Sequence, residues 1–295
     1  MIKYLDIKME TLSSDYFKEI LLENLKDVDL AKLSSESEYY NDIQFSDSKL
    51  NEMKDLLNLK EIYDMEKFNK LIKLSDVISL ERIDLVNNQI TSFEIFLGQI
   101  FPKLKELSLG INRISSFKGL SGKTFPKLEI LSLYLNQISS FQGLSGEIFL
   151  NLKELDLEHN NISSFEGLSG KIFPKLKELK LGRNQITSLG GLSEEIFPNL
   201  EILELSGNLI SSLKGLSGKT FLNLKILGLF GNLISSFEGL FEKIFPNLKE
   251  LYLNDNQISS LKGLSGKTFP NIEKLYLRVI KYLHLKNYLE KYFLS

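Results

Sequence analysis

The sequence predicts an α/β solenoid, a coil of short parallel strands wound in successive turns, and three observations carry the prediction. Leucine recurs in fixed columns at a shift of 24 residues, an asparagine follows the leucines of each unit at one fixed place, and all six prolines fall at one point of the repeat. A fixed period of this length makes each unit contact chiefly its neighbours, so the 295 residues need not divide into ordinary compact domains.

The strand comes first in each unit. Leu80, Leu104, Leu128, Leu152, Leu176, Leu200, Leu224 and Leu248 head the repeats. Three places on stand Ile83 and seven leucines from Leu107 to Leu251, and two further on eight leucines from Leu85 to Leu253. Leucines separated by one residue point the same way from a strand, so the core lies on that side and the intervening residues face the opposite, concave surface. Asparagine then recurs from Asn88 to Asn256, where its amide can satisfy backbone groups stranded in the bend. An isoleucine column from Ile90 to Ile258 follows two residues later.

The resulting pattern, L-x-x-L-x-L-x-x-N-x-I, resembles the leucine-rich repeat, and the resemblance covers residues 80–277 as eight full units and a partial ninth. It implies a right-handed horseshoe with its strands on the concave face and helical caps at both ends.

The rest of the unit reads approximately I-S-S-[FL]-x-G-L-S-G-x-x-F-P-x. Phe117, Phe141, Phe165 and Phe237 share one slot and the eight phenylalanines from Phe101 to Phe269 another, so the aromatics should stack as a spine. Proline after the second Phe lies just before the next strand, where a fixed φ and a missing donor do no harm. The glycines suit a tight return, so the convex side should consist of loops and short 3₁₀ turns. The recurring GLSGK lacks the spacing and the Lys-Ser/Thr pair of a phosphate loop and is framework.

The ninth unit has Ile272, Leu275 and Leu277 but Ile280 where asparagine is due, and residues 278–295 are expected to form a helical cap. Residues 1–79 depart from the period. They are expected to form an N-terminal cap, with 48–79 helical or degenerate-repeat material. Within it Phe17, Ile20, Leu21 and Leu25 have helical spacing, the pattern breaks near Asp27, and Leu30 and Leu33 follow.

Residues 12–40 resemble an F-box. Leu21-Leu22 match its Ile-Phe pair, Leu25 the next leucine, Asp29-Leu30 its Asp-Leu pair, Leu33 the following leucine, Ser37 its serine and Tyr40 its terminal aromatic. Ser14, Tyr16, Glu36 and Glu38 depart from the residues usual there, which are proline, glutamate, valine and a basic side chain. The resemblance implies docking to a Skp-type adaptor of a cullin-RING ubiquitin ligase through Leu21, Leu22, Leu25, Leu30 and Leu33.

Composition narrows the function. The 36 basic and 38 acidic residues leave a net charge of −2, which provides no global field for nucleic acid and permits self-association. The absence of cysteine removes disulfides and thiolate chemistry and favours a reducing compartment. The start, MIKYLDIKMETL, lacks the apolar run of a secretory signal, and no stretch approaches a membrane span. The expectation is an intracellular, cytoplasmic, non-enzymatic protein with no cofactor and no metal, whose partners are proteins. His159, with Asp156 and Glu158, lacks the further converging ligands that a metal site requires.

Binding positions should be those that vary while the frame stays constant. Three outward rows pass through Asp84, Val86 and Asn87 and their equivalents. Ile111, Tyr134 and Leu135 would form one apolar patch, Phe230, Tyr252 and Tyr276 another, and Asp156, Glu158, His159, Lys180, Arg183 and Glu204 a mixed-charge middle. At ~4.8 Å per strand, eight units give a face roughly 40 Å long, which suits a protein ligand. The two functional expectations are a ubiquitin-ligase substrate receptor and, alternatively, a scaffolding or regulatory subunit of the phosphatase- or cytoskeleton-associated type with no F-box role.

Overall fold

A computed structural model describes residues 61–63, 65, 68, 80–144, 149–168, 172–217, 219–240, 244–261, 264 and 267–277. The F-box-like segment 12–40 and the expected C-terminal cap at 278–295 lie outside the described residues.

Among the described residues, ten strands form one sheet in which each pairs in parallel with its sequence neighbours. They are β1 (Glu61–Ile62), β2 (Arg82–Asp84), β3 (Glu106–Ser108), β4 (Ile130–Ser132), β5 (Glu154–Asp156), β6 (Glu178–Lys180), β7 (Ile202–Glu204), β8 (Ile226–Gly228), β9 (Glu250–Tyr252) and β10 (Lys274–Tyr276). From β2 onward the register is the repeat itself: Ile83 faces Leu107, Leu107 faces Leu131, and so to Leu251 facing Leu275. β1 joins at a different offset, Ile62 opposite Ile83, so the sheet begins upstream of the regular units.

Each strand from β2 to β10 is three residues long because its inward residue is followed by a turn. In β2 to β9 the central side chain is buried and its neighbours, apart from buried Gly228, are half-exposed. The sheet hydrogen bonding runs slightly past the strand, with Leu85 N–H donating to Ser108 O at 2.8 Å and Asn87 N–H to Gly110 O at 3.0 Å.

The chain then bends over the asparagine. Asn112 Oδ1 accepts the N–H groups of Asn88 and Ile90 in the preceding turn, at 3.0 and 2.9 Å, and its Nδ2 donates to Leu85 O and Leu109 O, both at 2.9 Å. The bonds to the isoleucine N–H and the leucine carbonyl of the preceding turn recur at Asn136, Asn160, Asn184, Asn208, Asn232 and Asn256, all buried. Asn88, in the first regular unit, is only half-buried, and its amide bonds Val86 O.

The return side holds the aromatics. Phe93, Phe117, Phe141 and Phe165 stack with centroids 6.1 to 6.5 Å apart. The second column stacks in three runs: Phe101 with Phe125, Phe149 through Phe173 to Phe197, and Phe221 through Phe245 to Phe269. The expected spine is therefore segmented among the described residues. Both breaks fall on entering units where Leu150 and Leu222 replace the proline.

Among the described residues, 3₁₀ turns at Phe93–Phe96 and Lys214–Leu216 lie on this side. The second residue of the Ser-Ser pair fixes the turn: Ser116, Ser164, Ser212 and Ser236 each accept the N–H two residues ahead, at 3.2 to 3.4 Å. Such local bonds favour a turn over helix continuation. Exposed ion pairs link adjacent units along one edge, as in Lys105–Glu81 at 3.0 Å and Lys153–Glu129 at 2.7 Å, and pairs of this kind contribute little to stability.

Candidate functional site

The strand face carries four outward rows. Three are those expected, running through the residue between the paired leucines, the residue two places on, and the one after that. The fourth precedes the inward strand residue: Arg82, Glu106, Ile130, Glu154, Glu178, Ile202, Ile226, Glu250 and Lys274. Strand alternation about the inward residue was the signal for it, since both flanking positions must share a face. This row supplies ion pairs on that face: Arg82–Glu106 at 3.2 Å, Lys180 to Glu154 at 2.7 Å and to Glu178 at 3.1 Å, and Lys274–Glu250 at 2.7 Å.

The row entering the asparagine turn is conformationally unusual. Asn87, Ile111, Leu135, His159, Arg183 and Asp255 have φ between 51° and 60°, and Gly207 and Gly231 occupy the same place at 69° and 63°. Asparagine, aspartate and glycine tolerate this left-handed region, whereas a bulky or β-branched side chain there costs ~1–2 kcal/mol. Ile111 and Leu135 bear that cost in adjacent turns and are also 42% and 43% exposed. Neither sterics nor burial favours these two residues.

Glycines set the floor between the side chains. The Tyr134 ring lies over Gly110, where a β-carbon would fall within it. The Glu158 carboxylate leans over Gly182, 3.0 Å from where a β-carbon would stand, and the Glu204 carboxylate occupies the equivalent space over Gly228. Arg183 crosses over Gly207 of the next turn.

The middle of the face is electrostatically tense. Burial first, then the Glu154 and Glu178 charges, push the Asp156 carboxyl above its ordinary range, against the opposing pull of the Glu158 N–H and Lys180. Burial also raises Glu158, with added repulsion from Asp156 and Glu204. Burial works against the Lys180 ammonium, but its hydrogen bonds to Glu154 and Glu178 outweigh that and hold its pKa above the usual lysine value. Asp156 Oδ1 accepts the Glu158 N–H at 3.0 Å and Glu204 Oε1 the Ser206 N–H at 2.9 Å.

The expected patches are placed as follows. Ile111, Tyr134 and Leu135 are neighbours just beyond β3 and β4. Asp156, Glu158 and His159 on and after β5, Lys180 and Arg183 on and after β6, and Glu204 on β7 form the middle. Tyr252 and Tyr276 stack on each other, centroids 4.6 Å apart, while Phe230 is 46% exposed in a different row. Leu209 and Leu233 are exposed in successive turns just past the asparagines and belong to no expected patch. The adaptor-docking residues Leu21, Leu22, Leu25, Leu30 and Leu33 lie outside the described residues. Among the described residues, no helix is long and apolar enough to cross a membrane.

Residues 78–122, 102–146, 150–194 and 246–289, together more than half of the chain, match the family described as "Leucine Rich repeats (2 copies)". The leucine-rich repeat domain of APL1B is similar in structure, with 20% identity and a TM-score of 0.55 over 80% of this chain and 67% of that one. Two internalins of Listeria monocytogenes also match. Internalin C2 has 21% identity and a TM-score of 0.49 over 84% of this chain and 90% of its own. Internalin F has 18% identity and a TM-score of 0.48 over 76% and 75%. At these identities the likeness is one of fold. No curated protein matches the chain.

Proposed function

The chain belongs to the leucine-rich-repeat family, and on that footing we propose that it is a non-enzymatic protein-binding module that holds its partner on the concave strand face. The observation that carries this reading is the contrast between the two sides of each strand. The inward side repeats leucine or isoleucine from Ile83 to Leu275, whereas the residue after it runs Asp84, Ser108, Ser132, Asp156, Lys180, Glu204, Gly228, Tyr252, Tyr276. A framework needs only the first row, and a recognition surface needs the second.

The finer reading is a substrate receptor of a cullin-RING ubiquitin ligase, docked to a Skp-type adaptor through Leu21, Leu22, Leu25, Leu30 and Leu33. The spacing from Leu21 to Tyr40 supports it. The competing reading is a scaffolding or regulatory subunit in which residues 1–79 serve as a cap.

Affinity capture with the full chain, compared with a Leu22→Asp, Leu25→Asp chain, separates the two. Recovery of adaptor and cullin by the parent chain alone establishes the receptor. Identical partners with both, and no adaptor, establish the scaffold.

A further inference from the structure

We propose that the strand face from β3 to β7 takes an extended segment of a partner protein. That segment presents a large apolar side chain to Ile111, Tyr134 and Leu135, and an arginine or lysine, about three to four residues away, to Asp156, Glu158 and Glu204. The proposal rests on the reading of this face as a protein-binding surface and adds the chemistry of what it binds.

The apolar seat is marked by two independent costs. Ile111 and Leu135 occupy a left-handed backbone position that Asn87, Gly207, Gly231 and Asp255 fill with residues suited to it. Both also expose about two-fifths of their surface to water. His159 and Arg183 share this backbone in the next two turns, but only Ile111 and Leu135 combine it with an exposed apolar side chain, which points to a use outside the fold. Tyr134 lies over Gly110 beside them and completes an aliphatic and aromatic floor. Aromatic and aliphatic anchors of this kind seat a partner's apolar side chain.

Charge identifies what lies next to that side chain. Lys180, the cation on β6, is engaged by Glu154 and Glu178. Among the described residues Asp156, Glu158 and Glu204 have no ion-pair partner, and the Arg183 side chain crosses over Gly207 of the next turn. No group of three acidic or histidine side chains among the described residues is placed to hold a metal ion. Glu158 and Glu204 are instead spread over Gly182 and Gly228. Carboxylates on β5 and β7, either side of Lys180 on β6, complement a long cationic side chain lying along the floor. From the apolar seat to the middle of the acidic stretch is two to three strands, roughly 12 Å at ~4.8 Å per strand, which an extended chain spans in three to four residues.

The test is a selection of random linear peptides on the full chain, followed by affinity measurement on variants. The expected peptides carry an aromatic or aliphatic residue three to four positions from an arginine or lysine. Ile111→Asn with Leu135→Asn should weaken them at least about ten-fold while leaving the thermal midpoint unchanged or higher, because asparagine suits the left-handed position. Glu158→Gln with Glu204→Gln should weaken them by a similar factor and flatten the salt dependence of binding. Peptides that lose binding in the Ile111 and Leu135 variant but carry acidic or no charges would overturn the partner chemistry and leave the strand face as the binding surface. Failure to select any peptide, or selection of peptides that bind every variant equally, overturns both.

Discussion

Asn184 accepts the backbone N–H of Ile162 at 2.9 Å, one turn earlier in the coil, while its amide donates to Leu157 O at 2.8 Å and Leu181 O at 3.1 Å. One side chain thus satisfies backbone groups of two consecutive turns.

Asn184→Ala leaves those buried groups unpaired, each at ~1–3 kcal/mol, so urea unfolding should show a loss of at least about 2 kcal/mol. Asn88→Ala, at a half-buried position whose amide donates to Val86 O within its own turn, should cost less than about 1 kcal/mol. Equal losses at the two sites would refute the cross-turn account.

Phe141 is fully buried between Phe117 and Phe165, at 6.3 and 6.1 Å. Phe141→Ala should cost about 3–5 kcal/mol. Phe141→Leu should cost under about 1.5 kcal/mol, since Leu189 and Leu213 fill the same slot in later units. Thermal denaturation of the pair checks this.

Glycine substitutions separate conformational from steric cost. Gly98 has φ 76° and open space around a new β-carbon, so Gly98→Ala should cost about 1 kcal/mol. At Gly239, φ is 96° and a β-carbon would stand 2.5 Å from Lys214 Cα. Gly239→Ala must displace backbone in the neighbouring turn and should be clearly the more damaging of the two by chemical denaturation.

The raised carboxyl of Asp156 has a defined pH signature. Its folded pKa exceeds its unfolded one, so the folded chain binds more protons and stability falls as pH rises through the window. That window opens at the ordinary carboxylate range near pH ~4 and closes above the raised value. Asp156→Asn keeps an oxygen for the Glu158 N–H and removes the titration. The variant should gain stability over the parent above this window and match it below. A difference independent of pH would refute the assignment.

The periodic parts of the molecule are legible in the sequence because each inward position repeats one chemistry: leucine at the strand, asparagine in the bend, phenylalanine on the return. β1 is harder to see because Ile62 pairs with Ile83 at an offset of 21 residues, outside the 24-residue columns. The row containing Ile130, Glu154 and Glu178 escapes a reading centred on the paired leucines, because the strand is centred on the second leucine column and the residue before that leucine also faces outward. The left-handed backbone at Ile111 and Leu135 is not visible in their identities, since these are residues that local preference places elsewhere. Gly110, Gly182 and Gly228 read as gaps in variable rows. Their use as beds for Tyr134, Glu158 and Glu204 depends on rotamers chosen across strands, which no single unit encodes.

From β2 to β10 every strand meets its neighbours at one unchanging offset, and the asparagine bonds reach one turn back and no further. Residues 176–199 could therefore be excised and Lys175, which ends the preceding unit, joined directly to Leu200, with each severed strand and asparagine bond finding an equivalent replacement. The molecule is in this sense a graduated ruler. Its gauge length can change by whole divisions without recutting the marks, and that excision would bring Glu204 one division closer to the apolar seat.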